Sequence, residues 1–129
     1  MQTLKRCAAL CLISLVILPG CKKSPPYVNK RPTAKAGPDQ TLMLPANSTQ
    51  LVGSGSDPDG SIESYQWEVT MDSPGTHTLV TPTNAMTKLT DLELGEYRFS
   101  LKVTDNEGQS GTDDVVISVV DSTDNPWDY

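Results

Sequence analysis

The side chains in this sequence that could bind a metal ion are mainly carboxylates in predicted turns. Asp57 and Asp59 lie in a turn segment with Pro58 and Gly60, and Asp105 opens a second turn. Ca²⁺ prefers carboxylate and carbonyl oxygens, so turns of this kind can supply its ligands. Asp side chains also accept hydrogen bonds from nearby backbone N–H groups and form stable turns without any ion. On the residues alone, both interpretations stay open.

Catalytic chemistry has little support in the sequence. His77 is the only histidine and lies in a threonine-rich stretch, so nothing specific indicates a Ser-His-Asp arrangement. All three cysteines occur at or before Cys21, which leaves the rest of the chain without a thiol nucleophile or a disulfide. The paired carboxylates lie on turns rather than in a cleft, which argues against a glycosidase. We therefore predict that the protein is not an enzyme.

The first 20 residues have the layout of a secretory signal peptide. Lys5 and Arg6 precede an apolar run from Cys7 to Leu18. As a helix this run would span roughly 18 Å, well short of the roughly 30 Å hydrocarbon core, so it is not predicted to be a transmembrane span. The segment Leu18-Pro19-Gly20-Cys21 resembles the lipobox of bacterial lipoproteins. That resemblance implies cleavage before Cys21 and acylation of Cys21, with palmitate among the chains; a plain signal peptide cut nearby is the alternative.

Charge is distributed unevenly along the chain. The sequence carries 10 basic and 16 acidic residues, but all 16 acids come after Lys35. Five of the basic residues fall between positions 22 and 35, so a basic tether precedes an acidic body. The basic stretch could lie on anionic head groups, or it could simply solvate a linker. The acidic body repels phosphate, so no nucleic-acid partner is predicted.

Short apolar alternations separated by turn residues predict the fold. Residues 21–28 contain Pro25 and Pro26 and are expected to form an extended linker. Residues 29–120 are expected to form an all-β, immunoglobulin-like antiparallel β-sandwich of about seven strands, followed by an acidic tail over 121–129. The predicted strands are Gln40–Leu44, Thr49–Val52, Ile62–Val69, Thr78–Val80, Met86–Thr90, Glu96–Thr104 and Thr112–Val120.

Two aromatic positions match hallmarks of immunoglobulin-like sandwiches. Trp67 shares one face of the third predicted strand with Tyr65 and Val69 and matches the buried Trp of such sandwiches, and Tyr97 falls where a tyrosine corner is expected. Five motifs in order resemble the PKD domain, in the branch of the family found in KIAA0319-like proteins. They are Asn29-x-x-Pro32-x-Ala34-x-Ala36-Gly37, Gly53-Ser54-Gly55-Ser56-Asp57-Pro58-Asp59-Gly60, Tyr65-Gln66-Trp67, Leu92-x-x-Gly95-x-Tyr97-x-Phe99 and Val103-Thr104-Asp105-Asn106-x-Gly108.

Sandwich topology predicts one polar site. The loops before the third strand and after the sixth strand lie at the same pole, and the first strand, taken as antiparallel to the second, begins there. Asn29, Asp57, Asp59 and Asp105 are therefore expected to converge. Some PKD domains bind calcium with residues at matching positions, so the resemblance implies a calcium site here; turn formation alone is the alternative. No other cofactor is expected.

The resemblance implies the architecture of the domain more directly than the identity of its ligand. PKD domains are used to space, to adhere and to present other domains, and one fold can serve several such functions. The expected function is a non-catalytic, lipid-anchored protein of the bacterial cell envelope that uses its domain as an extracytoplasmic binding or spacer module for protein or glycan. The alternative is a small structural accessory subunit of a larger envelope complex. Lys22 replaces the Asp that commonly retains lipoproteins at the inner membrane. The family rule therefore implies the outer membrane, with the domain facing the periplasm or the surface.

Overall fold

The computed structural model describes Gly20 and residues 23–71 and 75–123. The predictions for the signal peptide, for Cys21 and for most of the acidic tail lie outside these residues. None of the described residues forms a helix long and apolar enough to cross a membrane. The described chain consists of nine strands: β1 (Thr33–Lys35), β2 (Gln40–Met43), β3 (Thr49–Val52), β4 (Ser54–Ser56), β5 (Ile62–Val69), β6 (Thr78–Leu79), β7 (Met86–Thr90), β8 (Gly95–Asp105) and β9 (Ser110–Val120).

The strands form two facing sheets and a short ribbon. The larger sheet has the order β2-β9-β8-β5, and the smaller sheet has the order β3-β7-β6. The ribbon consists of β1 and β4, paired antiparallel from Thr33 opposite Ser56 to Lys35 opposite Ser54. All pairings are antiparallel except β2 with β9, which is parallel. This arrangement confirms the predicted all-β, immunoglobulin-like sandwich.

Alternation along β8 and β9 builds the core. Every second residue of β8 from Tyr97 to Val103 is fully buried, and the intervening residues face outward. These side chains pack against Leu51 of β3 and Leu89 of β7, which are also fully buried. Burying such aliphatic and aromatic side chains is the main source of stability in a domain without a disulfide. The buried apolar residues are Ala34, Ala36, Leu51, Trp67, Leu89, Leu92, Tyr97, Phe99, Leu101, Val103, Val115, Ile117 and Val119.

Two details of the predicted strand arrangement were wrong. The strand that begins at Gln40 does not pair antiparallel with β3; it pairs parallel with β9, in the other sheet. Instead, β1, a strand that was not predicted, pairs antiparallel with β4. β4 lies within residues 53–60, which were expected to form only a turn. Both strands are three residues long, too short to show an alternation in the sequence.

Val69 shares a face with Trp67 but is not covered by the core. Val69 lies opposite Phe99, on the same face as Trp67, yet its side chain is 41% exposed. It occupies the last position of β5, an edge strand, so one flank of its side chain has no neighbouring strand to cover it.

Candidate functional site

The predicted polar residues lie at one end of the sandwich, which we call the linker pole. It comprises Asn29 and Lys30 before β1, residues 57–61 between β4 and β5, and Asp105–Gln109 at the β8–β9 turn. Two hydrogen bonds tie the loops together: Asn106 donates its backbone N–H to the Ser61 carbonyl at 3.0 Å, and Ser61 donates its N–H to Asn106 Oδ1 at 2.9 Å. The pole is therefore closed by direct loop-to-loop contacts.

Asp105 is the central acceptor of the linker pole. Its side chain is fully buried, and Oδ1 accepts the backbone N–H groups of Glu107 at 2.8 Å and Gln109 at 2.9 Å. Oδ2 accepts Nδ2 of Asn29 at 2.9 Å. Burial by itself raises the pKa of Asp105, but the hydrogen bonds from Asn29 and the turn backbone outweigh it and lower the pKa below its ordinary value. The buried carboxylate therefore stays ionised and holds the turn.

The segment that enters β1 is fastened across both loops. The Asn29 carbonyl accepts Gln109 Nε2 at 2.8 Å, and Lys30 donates its backbone N–H to Asp59 Oδ2 at 3.1 Å. Desolvation, together with the charges and hydrogen bonds of Asp59 and Glu107, raises the pKa of Tyr27 to about 12. The Tyr27 phenol thus stays neutral beside these two acids. The linker joins the domain through a set of specific contacts that begins before Asn29.

Asp57 differs from its neighbours because one of its oxygens is unsatisfied. Oδ1 accepts the Asp59 N–H at 3.4 Å, whereas Oδ2 is buried and has no hydrogen-bond partner. Gly60 packs directly on it, since a Cβ at that position would collide with Asp57 Oδ2 and with Asn106 Oδ1. Desolvation raises the pKa of Asp57 and outweighs the hydrogen bond from the Asp59 N–H, which lowers it; the side chain of Asp59 and the negative charges of Asp59 and Asp105 add to the rise. An orphaned carboxylate oxygen among other oxygens is a position that favours a cation.

The oxygens at the linker pole match calcium in chemical type but are mostly engaged. Asp105 and Asp59 accept backbone N–H groups, and Asn29 presents its amide nitrogen to Asp105. Within residues 23–71 and 75–123, no three His, Cys, Asp or Glu side chains are grouped so that they could hold one metal ion. A calcium ion would therefore use the free oxygen of Asp57 first, and another carboxylate would have to exchange a hydrogen bond for the ion.

Sequence reasoning missed two contributors to the linker pole. Gln109 fastens both Asn29 and Asp105, and Lys30 contributes through its backbone rather than its charge. Gln109 carried no signal, because it lies just outside the turn motif and its partner is 80 residues away. Asn106 was visible as a turn residue, although its link to Ser61 was not.

The two aromatic hallmark residues lie in the core. Trp67 is 1% exposed, and its Nε1–H lies 3.1 Å from the Asn84 carbonyl and 3.2 Å from the Ala85 carbonyl. The Tyr97 hydroxyl donates to the Glu93 carbonyl at 3.1 Å and accepts the Glu93 N–H at 2.8 Å. These bonds fasten the segment before β8 to the core, which is the geometry of a tyrosine corner.

Replacing Tyr97 by Phe tests this corner. The change removes only the hydroxyl, so the Glu93 N–H and carbonyl both lose a partner beside a fully buried ring. The expected loss is about 1–3 kcal/mol of unfolding free energy, measured by urea denaturation. Tyr65→Phe is the matched control, because Tyr65 is only half-buried; an equal loss in both variants would contradict a specific role for the corner.

His77 packs against two aromatic rings of β8. Its ring meets Phe99 edge-on at 5.5 Å and Tyr97 edge-on at 6.1 Å between ring centroids. The sole histidine therefore covers the buried aromatic rings, at the opposite end of β8 from Asp105.

The fold, the buried Trp67 and the Tyr97 corner define an immunoglobulin-like β-sandwich domain. Residues 36–119, more than half of the chain, match the family described as "K319L-like, PKD domain". The chain belongs to this family, as its five motifs implied.

Relatives and solved structures agree with this assignment. Dyslexia-associated protein KIAA0319 of Homo sapiens is 35% identical over 101 residues, which cover 78% of this chain and 9% of that protein. Low-density lipoprotein receptor-related protein 11 of Mus musculus is 35% identical over 95 residues, or 74% of this chain and 20% of that protein. The chain thus spans only a small part of these relatives, and the similarity concerns one domain.

Isolated PKD domains have the same fold. The solution structure of the PKD domain from KIAA 1837 protein is similar with a TM-score of 0.63 and 35% identity, covering 74% of this chain and 92% of that one. The PKD1 domain from Vibrio cholerae metalloprotease PrtV is similar with a TM-score of 0.52 and 29% identity, covering 70% of this chain and 98% of that one. The described strands therefore make up a complete PKD domain.

Proposed function

We propose that this chain is a lipid-anchored protein of the bacterial cell envelope whose PKD domain is a non-catalytic binding or spacer module for a protein or glycan. The observation that carries this proposal is the order of parts: a lipobox-like segment ending at Cys21, a short basic linker, and one PKD domain. Two acyl chains or more on Cys21 would make the attachment practically permanent, since each buried CH₂ contributes about 0.8 kcal/mol.

The contacts at the linker pole support a spacer role. Asn29 and Lys30 bind the two loops of the pole, so the chain leaves the domain in a defined direction. Pro25 and Pro26 favour an extended conformation immediately before this joint. A short extended tether on a fixed joint would hold the domain at a set distance from the outer membrane. Calcium bound at Asp57 would stiffen the same joint, because the ion would add ligands from both loops.

The anchor is tested by replacing Cys21 with Ser in the full-length chain. We expect the wild-type protein to incorporate radiolabelled palmitate and to sediment with the outer-membrane fraction, whereas Cys21→Ser incorporates no label and is lost from that fraction. Cys11→Ser is the control, since it changes a cysteine inside the leader and should leave both results unchanged. The proposed anchor would be overturned if Cys21→Ser incorporated palmitate, or if wild-type protein incorporated none.

A further inference from the structure

The second half of strand β9 is apolar on both of its faces. Val115, Ile117 and Val119 are buried in the core. Val116 and Val120 are apolar as well, yet they alternate with the buried residues and point to the outer face of the larger sheet. A strand with one solvated face normally carries polar residues there, whereas a strand covered on both faces is apolar throughout. The pattern therefore predicts a cover over the outer face of this half of β9.

Met43 extends this apolar surface onto strand β2. It lies opposite Val120 in the parallel pair, and its side chain is 59% exposed. Val116 and Val120 are themselves only partly buried. The outward residues in the first half of β9, at positions 110, 112 and 114, are all polar. The apolar surface formed by Met43, Val116 and Val120, which we call the outer patch, is thus confined to the end where the chain leaves β9.

Arg98 borders the outer patch and has an unsatisfied donor. It lies directly opposite Val116 on strand β8 and points to the same outer face. Its Nε is buried and has no hydrogen-bond partner among the described residues. A guanidinium group beside apolar side chains favours an aromatic ring, which can pack on the patch and stack on the cation together.

The nearest segment that could cover the outer patch is the tail of the same chain. Ser122 and Thr123 form a turn directly after β9, so the chain departs from the direction of the strand there. The residues that follow, 124–129, lie outside the described residues and include Trp127 and Tyr129. Being part of the same chain, this segment is present at a high effective concentration.

The pattern of the tail suits a surface that is apolar on one side only. In an extended conformation, side chains two positions apart lie on the same face. Trp127 and Tyr129 would share one face of the tail, and Asp124 and Asp128 the other. With the rings toward the sheet, both acids would point to solvent, away from Glu96 on the outer face of β8.

The length of the tail brings Trp127 to the outer patch. Val116 lies four residues before Val120, which is about 13 Å along the strand. Trp127 follows Thr123 by four residues and can travel the same distance back over the face. Between residues 117 and 119, β9 already pairs with β2 on one side and β8 on the other, so the tail would lie across the face and not join the sheet as a strand.

We propose that residues 124–129 fold back over the outer face of the larger sheet, with Trp127 packed on the outer patch and against the Arg98 guanidinium. The tail then supplies the cover that the apolar half of β9 predicts. This docking does not depend on the lipid anchor proposed above, since it involves only the PKD domain and the residues that follow it.

Quenching of tryptophan fluorescence by acrylamide tests the proposal. The experiment uses residues 22–129, which contain all nine strands and correspond to the isolated PKD domains solved by themselves. Trp67 is 1% exposed, so quenching of the folded protein reports mainly Trp127, and Trp127→Phe gives the signal of Trp67 alone. In Val116→Asp a carboxylate replaces the centre of the outer patch, and Trp127 should be quenched about threefold faster than in wild type.

Two matched controls separate docking from a general effect of charge. Thr112→Asp adds the same charge to the same face of β9, beyond the reach of Trp127, and should leave the quenching rate unchanged. Arg98→Gln should raise the rate about twofold, because the ring loses its cation. Lys88→Gln removes an exposed cation from the other sheet and should have no effect.

Thermal stability gives a readout that does not rely on fluorescence. Val116→Asp should lower the thermal midpoint by about 5 °C in residues 22–129 and by clearly less in residues 22–123, because only the longer chain has a docked tail to lose. Arg98→Gln should show the same dependence on the tail, which keeps the test open if Val116→Asp does not fold.

The proposal would be overturned by equal quenching of Trp127 in wild type and in folded Val116→Asp and Arg98→Gln. Equal losses of thermal midpoint with and without residues 124–129 would overturn it as well. If Trp127 becomes protected only as the protein concentration rises and a dimer forms in sedimentation equilibrium, the outer patch binds the tail of a second copy, and docking within one chain is wrong.

Discussion

Replacing Asp105 by Asn is expected to lower the midpoint of thermal unfolding by about 10 °C. The buried carboxylate accepts three hydrogen bonds, two from the Glu107 and Gln109 backbone and one from Asn29. An asparagine keeps the shape but turns one acceptor into a donor, so at least one of these N–H groups loses its partner beside a fully buried side chain. Circular dichroism melts of residues 22–129 at neutral pH measure the effect.

The comparison with Asp59→Asn separates this role from a general effect of charge. Asp59 lies at the same pole and is half-buried, but its hydrogen bonds go to the Lys30 N–H and to the exposed Tyr27 phenol rather than to the turn backbone. Its replacement removes the same charge and should shift the midpoint by only a few degrees. Equal shifts in the two variants would show that net charge, rather than the Asp105 hydrogen bonds, holds the pole.

The stability difference between wild type and Asp105→Asn should depend on pH with a definite sign. The hydrogen bonds lower the pKa of Asp105 in the folded protein below its ordinary value of 3.8. A carboxylate with a depressed folded pKa contributes stability above its unfolded pKa, and that contribution is lost as the pH falls through the folded pKa. The difference in thermal midpoint between wild type and Asp105→Asn should therefore have its full size at pH 6 and become smaller below about pH 4.

Strands with a clear period-two pattern could be predicted from the sequence alone. β3, β5 and β7 have the predicted bounds, and β8 is one residue longer at each end. The alternation is clearest in β8, where Tyr97, Phe99, Leu101 and Val103 are buried. β1 and β4 could not be predicted, since each exists only through pairing with the other, 23 positions apart at Thr33 and Ser56. The parallel contact of β2 with β9 is equally long-range, and alternation within β2 does not reveal its neighbour.

The linker pole was predictable in composition but not in its bonding. Turn residues and sandwich topology indicated Asn29, Asp57, Asp59 and Asp105, and the structure places all four at this pole. Which oxygen accepts which N–H depends on local loop geometry that spacing in the sequence does not encode. The distinction that matters for function, a satisfied Asp105 and an unsatisfied Asp57, is visible only in the hydrogen bonds.

Calcium is expected to raise the thermal midpoint of wild-type protein by several degrees relative to chelator. Ligand that binds only the native state stabilises it by about 2.7 kcal/mol at 100-fold over its Kd. Asp57→Asn should abolish this gain, because the free oxygen that the ion would use first is replaced by an amide nitrogen. Glu63→Gln is the control, since this exposed acid near the pole carries the same charge and should leave the calcium response intact.

When calcium is removed, Asp57→Asn should raise the thermal midpoint above that of wild type. The raised pKa of Asp57 means that its ionised form is disfavoured in the folded protein, so this carboxylate lowers stability as the pH rises above 3.8. In chelator at neutral pH, Asp57→Asn should therefore melt a few degrees above wild type, because an amide carries no charge and supplies a donor. A calcium response that survives in Asp57→Asn would place the ion elsewhere. If Asp57→Asn melts higher in chelator but wild-type protein shows no calcium response, Asp57 is only a turn residue with an unpartnered oxygen. The linker pole is then a joint held by hydrogen bonds alone.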